Sequence, residues 1–178
     1  MENKTIKDKR FYRFSDLVLS ELGNMHILER GEFSLEYNGS KPLPSSFKCI
    51  PLEDNDFSTQ RVVNVFREIS EYFKDQYNIE TKISVLYPSG GFIGWHTNAN
   101  QNLFNAICTF SETGSGVFKY INNDIILEVK DIKGWSVKES AWFDESIPHM
   151  AHTDCNRITI AFASKNKKDI DAFINKIT

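Results

Sequence analysis

The clearest helical pattern in the first half of the chain lies between Asp56 and Tyr77. Apolar side chains recur there at intervals of three and four residues, as they do on one face of an amphipathic helix. They are Val62, Val65, Phe66, Ile69 and Phe73. Asp56 or Ser58 is the candidate N-cap, because a short polar side chain there can accept a hydrogen bond from a free backbone N–H.

The segments before this helix carry weaker patterns. Phe14 to Leu22 is predicted to form a short helix, and Phe33 to Tyr37 alternates apolar and polar residues as a strand does. Residues 41–56 include three prolines, so an irregular connection into the helix is expected.

After Asn78 the periodicity changes to short alternating or fully apolar runs, typical of strands. Eight runs fit: Lys82 to Tyr87, Phe92 to His96, Asn105 to Phe110, Val117 to Ile121, Ile125 to Val129, Trp135 to Val137, Ala141 to Phe143 and Arg157 to Ala163. Turn sequences such as PSGG, SETGSG and DIKG separate them, which favours an antiparallel sandwich, jelly roll or barrel. The last run, KKDIDAFINKI, can form a closing helix with Ile170, Phe173 and Ile177 on one face.

Composition narrows the class of protein. A chain of 178 residues is about one domain, and 40% hydrophobic with 25% charged residues is typical of a globular fold. The net charge of -3 disfavours a dedicated nucleic-acid-binding role. No run approaches the ~18 apolar residues of a membrane span, and the charged N-terminus lacks a signal-peptide pattern, so a cytoplasmic protein is expected. The three cysteines lack C-x-x-C spacing and are expected to be buried small hydrophobes.

Candidate chemistry lies in the β-rich half. His96 and Asn98 are two residues apart, so on a strand they face the same side. His149 follows 53 positions later, and Arg157 heads the strongly apolar run RITIAFA, with Thr159 on its side of the strand. A buried guanidinium needs an anion, so either a protein carboxylate or a bound anion is implied. The fork geometry of arginine suits a ligand carboxylate.

The segments YPSGGFIGWHTN and HMAHTDCNRITIAF resemble the iron(II)/2-oxoglutarate-dependent oxygenases, most closely small phage and marine-microbial members that are prolyl-hydroxylase-like. The resemblance covers about Ile83 to Ala163 and implies a mainly β fold, α+β by content: a double-stranded β-helix, or jelly roll, with an N-terminal supporting helix and a short C-terminal helix. Together with the length and periodicity of the chain, it predicts one domain over residues 1–178, with helical and irregular support in 1–80, the β core in 81–164 and the C-terminal helix in 165–178. In this resemblance His96 and His149 bind Fe(II), Arg157 binds the distal carboxylate of the co-substrate 2-oxoglutarate, Tyr87 and Thr159 make secondary contacts, and O2 is the oxidant.

One position departs from the family pattern. The family binds iron with H-x-D and a later histidine, and Asn98 stands where the aspartate belongs. With doubly positive iron and doubly negative 2-oxoglutarate, loss of the carboxylate makes the site neutral instead of singly negative. Four alternatives follow: a weakened but working Asn98 ligand, a carboxylate supplied by Asp144 or Glu145, a halide or water at the third position, or a catalytically dead relative.

Two classes of function therefore stay open. The first is an oxygenase that hydroxylates, or otherwise oxidises a C–H bond of, an unidentified protein side chain, amino acid or small metabolite. The second is a non-catalytic jelly-roll binding or accessory protein that has lost the metal triad. His152, three residues after His149, would face the opposite side of a strand and is expected not to be a ligand. Trp95, Trp135 and Trp142 are expected in packing more than in substrate contact.

Overall fold

The computed structural model describes residues 2–98, 103–140 and 147–178. Three α-helices and a short 3-10 helix (Leu22–Asn24) accompany the strands in that part of the chain. The helices are α1 Lys9–Ser20, α2 Gln60–Tyr77 and α3 Lys167–Ile177. The strands are β1 Lys4–Thr5, β2 Leu28–Arg30, β3 Phe47–Pro51, β4 Glu80–Tyr87, β5 Phe92–His96, β6 Phe104–Ser111, β7 Val117–Asn122, β8 Ile125–Lys130, β9 Gly134–Ser140, β10 His149–His152 and β11 Arg157–Ser164.

The strands pair in the order β1-β9-β6-β11-β4-β3-β5-β10-β7-β8, with β2 on β3, and the pairs between these strands are antiparallel. Strand β3 joins two halves, because its Ile50 lies opposite Leu86 of β4 and its Phe47 lies opposite Ile93 of β5. The sheet curls there into a jelly roll, with β9-β6-β11-β4 forming one half and β5-β10-β7-β8 the other. This confirms the mainly β, double-stranded β-helix fold that the resemblance implies.

Alternation along β11 gives the sheet two different faces. Ile158, Ile160 and Phe162 point to a core that they share with the helices, whereas Arg157 and Thr159 point to the interior of the jelly roll. The register with β4 and β6 extends this division, since Arg157 pairs with Tyr87 on one side and Ser111 on the other.

The helices cover the outside of the first half of the jelly roll. Helix α2 begins after Thr59, whose hydroxyl accepts a hydrogen bond from the Val62 N–H, and ends at Asn78 in the left-handed conformation. Its Phe73 is fully buried and its ring contacts those of Phe11, Phe162 and Phe173 at centroid separations of 5.6, 5.5 and 4.9 Å. Aromatic packing thus attaches α1, α2 and α3 to β11.

All three predicted helices are present, but the one expected from Phe14 to Leu22 is α1 Lys9–Ser20, which begins and ends earlier. The segment KKDIDAFINKI forms α3, with Ile170, Phe173 and Ile177 buried as expected. Thr59 caps α2, in place of the Asp56 or Ser58 that the sequence suggested. No helix among the described residues is both long and apolar enough to cross a membrane.

Three expectations about strands need correction. Apolar and polar residues alternate from Phe33 to Tyr37, but this segment forms no strand. It contacts β5 through side chains, and the rings of Phe33 and Phe92 have centroids 5.1 Å apart. Residues 41–56 are not wholly irregular, since they contain β3. Strand β10 was not predicted, because its four residues are too few to show a period. The predicted strand Ala141 to Phe143 lies outside the described residues.

Candidate active site

Two histidines meet inside the jelly roll where β5 and β10 pair. His96 ends β5 and lies opposite His149, the first residue of β10, and their ring centroids are 4.2 Å apart. His96 Nδ1 lies 2.8 Å from the Gly94 carbonyl oxygen, and His149 Nδ1 lies 2.9 Å from the Ile147 carbonyl oxygen. When Nδ1 donates to a carbonyl, Nε2 carries the lone pair, which is the usual arrangement of a metal-binding histidine.

The backbone packs closely around β5 to hold His96 in place. The Gly94 N–H donates to the Ser46 carbonyl oxygen at 2.8 Å, and the Thr97 N–H donates to the Lys41 carbonyl oxygen at 2.8 Å. A Cβ at position 94 would meet the Ser46 hydroxyl and lie 3.1 Å from the Ser46 carbonyl oxygen, so glycine favours this close approach. The segment between Lys41 and Ser46 therefore fixes the strand that ends in the first histidine.

Burial keeps both imidazoles neutral. Desolvation lowers the pKa of His149 to about 3, with the neighbouring His96 lowering it further and the hydrogen bond to Ile147 opposing the shift. Burial also lowers the pKa of His96, against hydrogen bonds to the Gly94 and His149 backbone. Neutral imidazoles are the form that binds metals, so this pair suits a divalent cation.

Asn98 lines the same cavity as the two histidines, as the spacing of His96 and Asn98 predicts. The available donor set is therefore two imidazoles and an amide oxygen, which fits a hard or borderline divalent metal with open positions, although the oxygen is neutral. Among the residues that the structure describes, no group of three or more His, Cys, Asp or Glu side chains gathers at one point. Asp144 and Glu145, the other candidate carboxylates, lie outside the described residues.

Arg157 also lines this cavity, and it is paired with a protein carboxylate. Its Nε donates to Asp131 Oδ2 at 2.6 Å, and its Nη1 donates to Thr159 Oγ1 at 2.7 Å. Asp131 Oδ1 accepts a second bond, from Lys138 Nζ at 3.0 Å. The exposed fractions of the Arg157, Asp131 and Lys138 side chains are 2%, 0% and 1%. We call these three side chains the buried charge cluster.

The electrostatics of the buried charge cluster favour an ionised aspartate. Burial raises the pKa of the Asp131 carboxyl, but the Arg157 and Lys138 cations outweigh it, and the net shift is downward. Burial lowers the pKa of Lys138; Asp131 opposes that shift and Arg157 adds to it. Within the described residues, Arg157 and Lys138 thus share the carboxylate of Asp131 away from water, where unbalanced charge is expensive.

Asp131 and Lys138 were missed by the sequence reasoning. The sequence places Asp131 in the turn DIKG, and its backbone N–H donates to the Gly116 carbonyl oxygen at 2.8 Å. A Cβ on Gly116 would overlap Asp131 Oδ2, so glycine makes room for the ion pair. A signal for Lys138 did exist, because Trp135 and Val137 point to the helix-side core and the alternation turns Lys138 to the interior.

The structure brings all six predicted site residues to one cavity of about 180 Å³. They are Tyr87, His96, Asn98, His149, Arg157 and Thr159. The Tyr87 ring lies 5.6 Å from the Arg157 guanidinium carbon, and apolar side chains such as Ile93, Ile107 and Phe118 line much of the remainder. The co-location follows from the register of the strands, and the role of each residue remains a prediction.

Several other predicted residues lie away from the cavity. His152 is half-buried on the outside, with its ring 5.3 Å from that of Phe33. Trp135 is in the helix-side core and donates to the Ser15 hydroxyl at 3.0 Å, and Trp95 donates to the Leu35 carbonyl oxygen at 3.3 Å. Trp142 lies outside the described residues. Cys49, Cys108 and Cys155 are buried and free.

Comparisons with known proteins find similarity at the level of the fold. No family model and no curated protein matches the sequence. Among solved structures, a prolyl hydroxylase from Trichoplax adhaerens, in complex with a hypoxia inducible factor oxygen degradation domain peptide fragment, is similar with a TM-score of 0.52 and 12% identity, over 94% of this chain and 83% of that chain. A Pseudomonas putida prolyl-4-hydroxylase gives a TM-score of 0.45 and 10% identity, over 91% of this chain and 90% of that chain. At 12% identity the likeness to the first of these structures shows a shared fold alone, and function has to be argued from the site.

Proposed function

We propose that the protein is an iron(II)/2-oxoglutarate-dependent oxygenase that hydroxylates, or otherwise oxidises a C–H bond of, a substrate still to be identified. The observation that carries the proposal is the pair of buried imidazoles, with ring centroids 4.2 Å apart, in the same cavity as a buried arginine. His96, His149 and Asn98 would hold Fe(II), and Arg157 would bind the distal carboxylate of 2-oxoglutarate.

The residues on the Arg157 side are arranged to bind an anion. Because Thr159 Oγ1 accepts from Arg157 Nη1, its own hydroxyl proton is available to a ligand oxygen in the cavity. Tyr87 adds a phenol whose pKa is raised by burial, so it is protonated and can donate. These donors would orient the co-substrate so that its keto acid end reaches the histidines.

The remaining chemistry belongs to the iron, which would activate O2 while 2-oxoglutarate is oxidised. The protein itself contributes a fixed pair of imidazoles, an anchoring cation and apolar walls that exclude water. The apolar lining from Ile93, Ile107 and Phe118 suits this, because a dry pocket strengthens the charge interactions at its ends.

A non-catalytic jelly-roll binding protein is the second candidate, and two observations favour it. Asn98 replaces the family carboxylate, and Asp131 pairs with Arg157, so that arginine does not by itself require a ligand. Lys138 argues against it, since among the described residues Lys138 and Arg157 both pair with the single carboxylate of Asp131, and a bound anion would balance the second cation. The oxygenase therefore accounts for more of the site.

Anaerobic titration with Fe(II) and 2-oxoglutarate separates the two classes without knowledge of the substrate. If the protein is an oxygenase, we expect the weak visible charge-transfer band of the metal-bound keto acid. His96→Ala and His149→Ala are expected to abolish the band, whereas His152→Ala, which removes an imidazole outside the cavity, should keep it. If the native protein binds no iron and shows no band, a non-catalytic jelly-roll binding protein is the better hypothesis.

Asn98→Asp tests the departure from the family pattern. An aspartate supplies a charged oxygen at the same distance from the backbone, so Fe(II) affinity should rise with the fold unchanged. If Asn98 is a weak but working ligand, 2-oxoglutarate consumption should rise too. If the third position takes a halide or water, consumption should fall while affinity rises. Loss of Fe(II) affinity in the Asp variant would contradict the ligand role of Asn98.

A further inference from the structure

We propose that Lys138 and Asp131 set the charge that selects the co-substrate: with Lys138 protonated, the three side chains of the buried charge cluster carry one positive charge in excess, and this excess favours a ligand with an anionic group at its far end. The inference rests on the proposed function and deepens it. Neither residue lines the cavity, so both act through Arg157 and are positioning residues.

The geometry of the cluster leaves donors for a ligand. Within the described part of the chain, Arg157 donates from Nε and from Nη1, and a guanidinium carries five N–H groups. Asp131 is used on both oxygens, one by Arg157 and one by Lys138. Asp131 therefore orients the remaining N–H groups of Arg157, and Lys138 holds Asp131 in place.

The charge balance explains why an anion is needed. Arginine keeps its proton, and the Arg157 and Lys138 cations lower the pKa of Asp131 against the effect of burial. Burial and the Arg157 charge lower the pKa of Lys138, which lies 3.0 Å from that carboxylate, so an anion bound beside Arg157 would favour the protonated form of Lys138. An unbalanced positive charge in a dry interior is unfavourable, and a carboxylate entering the cavity beside Arg157 and Thr159 relieves it.

The backbone at Gly116 packs tightly against the ion pair between Arg157 and Asp131. A Cβ there would overlap Asp131 Oδ2 and come within 2.9 Å of Arg157 Cδ. The Gly116 carbonyl also accepts the Asp131 N–H, so the ends of β7 and β8 hold the aspartate in place.

The test compares two ligands that differ only at the far end. The first is 2-oxoglutarate, and the second is 2-oxopentanoate, which has a methyl group in place of the distal carboxylate. Dissociation constants are measured by calorimetry with Mn(II) as the metal, and their ratio gives the selectivity for the distal charge. Lys138→Met makes the cluster neutral and should weaken 2-oxoglutarate binding about tenfold or more, with little change for 2-oxopentanoate.

Two further variants separate charge from shape. Asp131→Asn adds a positive charge, so it should lower the thermal midpoint of the free protein and raise the selectivity for 2-oxoglutarate. The double variant Asp131→Asn with Lys138→Met has the native net charge, so its selectivity should return toward the native value. Lys119→Met is the matched control, since Lys119 makes a comparable lysine–glutamate pair with Glu128 on the partly exposed strands β7 and β8.

The outcomes are distinct. Selectivity that follows net charge through the three variants supports the inference. Equal losses for both ligands in Lys138→Met, or a double variant worse than either single one, overturns it while the proposed function stands. If the native protein binds neither ligand in the presence of metal, both the proposed function and this inference are wrong.

Discussion

Replacing Arg157 by alanine tests the anchoring role of the cavity arginine. The change removes the donors at Nε and Nη1, which reach Asp131 at 2.6 Å and Thr159 at 2.7 Å, together with those left for a ligand. Truncating one partner of a desolvated charge pair costs ~2–5 kcal/mol, which corresponds to a loss of about 30-fold to several thousandfold in 2-oxoglutarate affinity. Arg157→Lys should recover part of this, because the charge returns but the planar fork does not.

The same structure predicts that the fold tolerates the change. Removing one partner of a buried pair costs ~3–5 kcal/mol when the other charge is orphaned, but Asp131 keeps Lys138 at 3.0 Å. The free energy of unfolding in urea should therefore fall by less than that range.

Calorimetry with Mn(II) and 2-oxoglutarate measures the affinity. Arg61→Ala is the matched control, because the Arg61 side chain is 74% exposed and lies 3.6 Å from Glu21, so both affinity and stability should stay within about 0.5 kcal/mol of native. An Arg157→Ala variant with native 2-oxoglutarate affinity would show that the cation does not bind the co-substrate.

Three more predictions address packing and pH. Gly116→Ala should lower the free energy of unfolding by about 1–3 kcal/mol through overlap with the ion pair, whereas Gly23→Ala, with nothing within 4 Å, should leave the urea midpoint unchanged. Phe73→Ala should cost ~3–5 kcal/mol in the same assay, because a fully buried ring leaves a cavity, and a cost under ~1 kcal/mol would refute the packing argument. Burial raises the pKa of the Cys155 thiol, but surrounding hydroxyls including Ser111 outweigh it and lower the pKa to about 6. The ultraviolet absorbance of the Cys155 thiolate should therefore titrate with a midpoint near pH 6. Because this pKa lies below the ordinary value of 9.0, the thiolate's contribution to stability should be lost as pH falls from 9 through 6; an absorbance midpoint near 9 would contradict this.

Local pattern in the sequence was sufficient for the helices and most of the strands. The spacing of Val62, Phe66, Ile69 and Phe73 predicts α2 because one face of a helix has to be apolar to pack. The alternation of side chains along β4, β6 and β11 likewise indicates a sheet with one face packed against the helices. The pairing of His96 with Asn98 is also local, because residues two apart on a strand share a side.

Tertiary structure alone decided what the local pattern leaves open. Strand β10 has four residues and is defined by its pairing with β5 and β7, so no periodicity could reveal it. Phe33 to Tyr37 has the alternation of a strand, yet its partners are side chains and not a backbone ladder, and sequence does not distinguish the two.

The carboxylate that pairs with Arg157 likewise could not be predicted from the sequence. The sequence determined that a buried guanidinium at the head of an apolar strand needs an anion, because desolvation of an unpaired charge is too costly. It did not determine that Asp131, 26 residues earlier, supplies one, nor that Lys138 adds a second cation. Those contacts depend on how the turn after β8 and the strand β9 come to lie beside Arg157 at the start of β11.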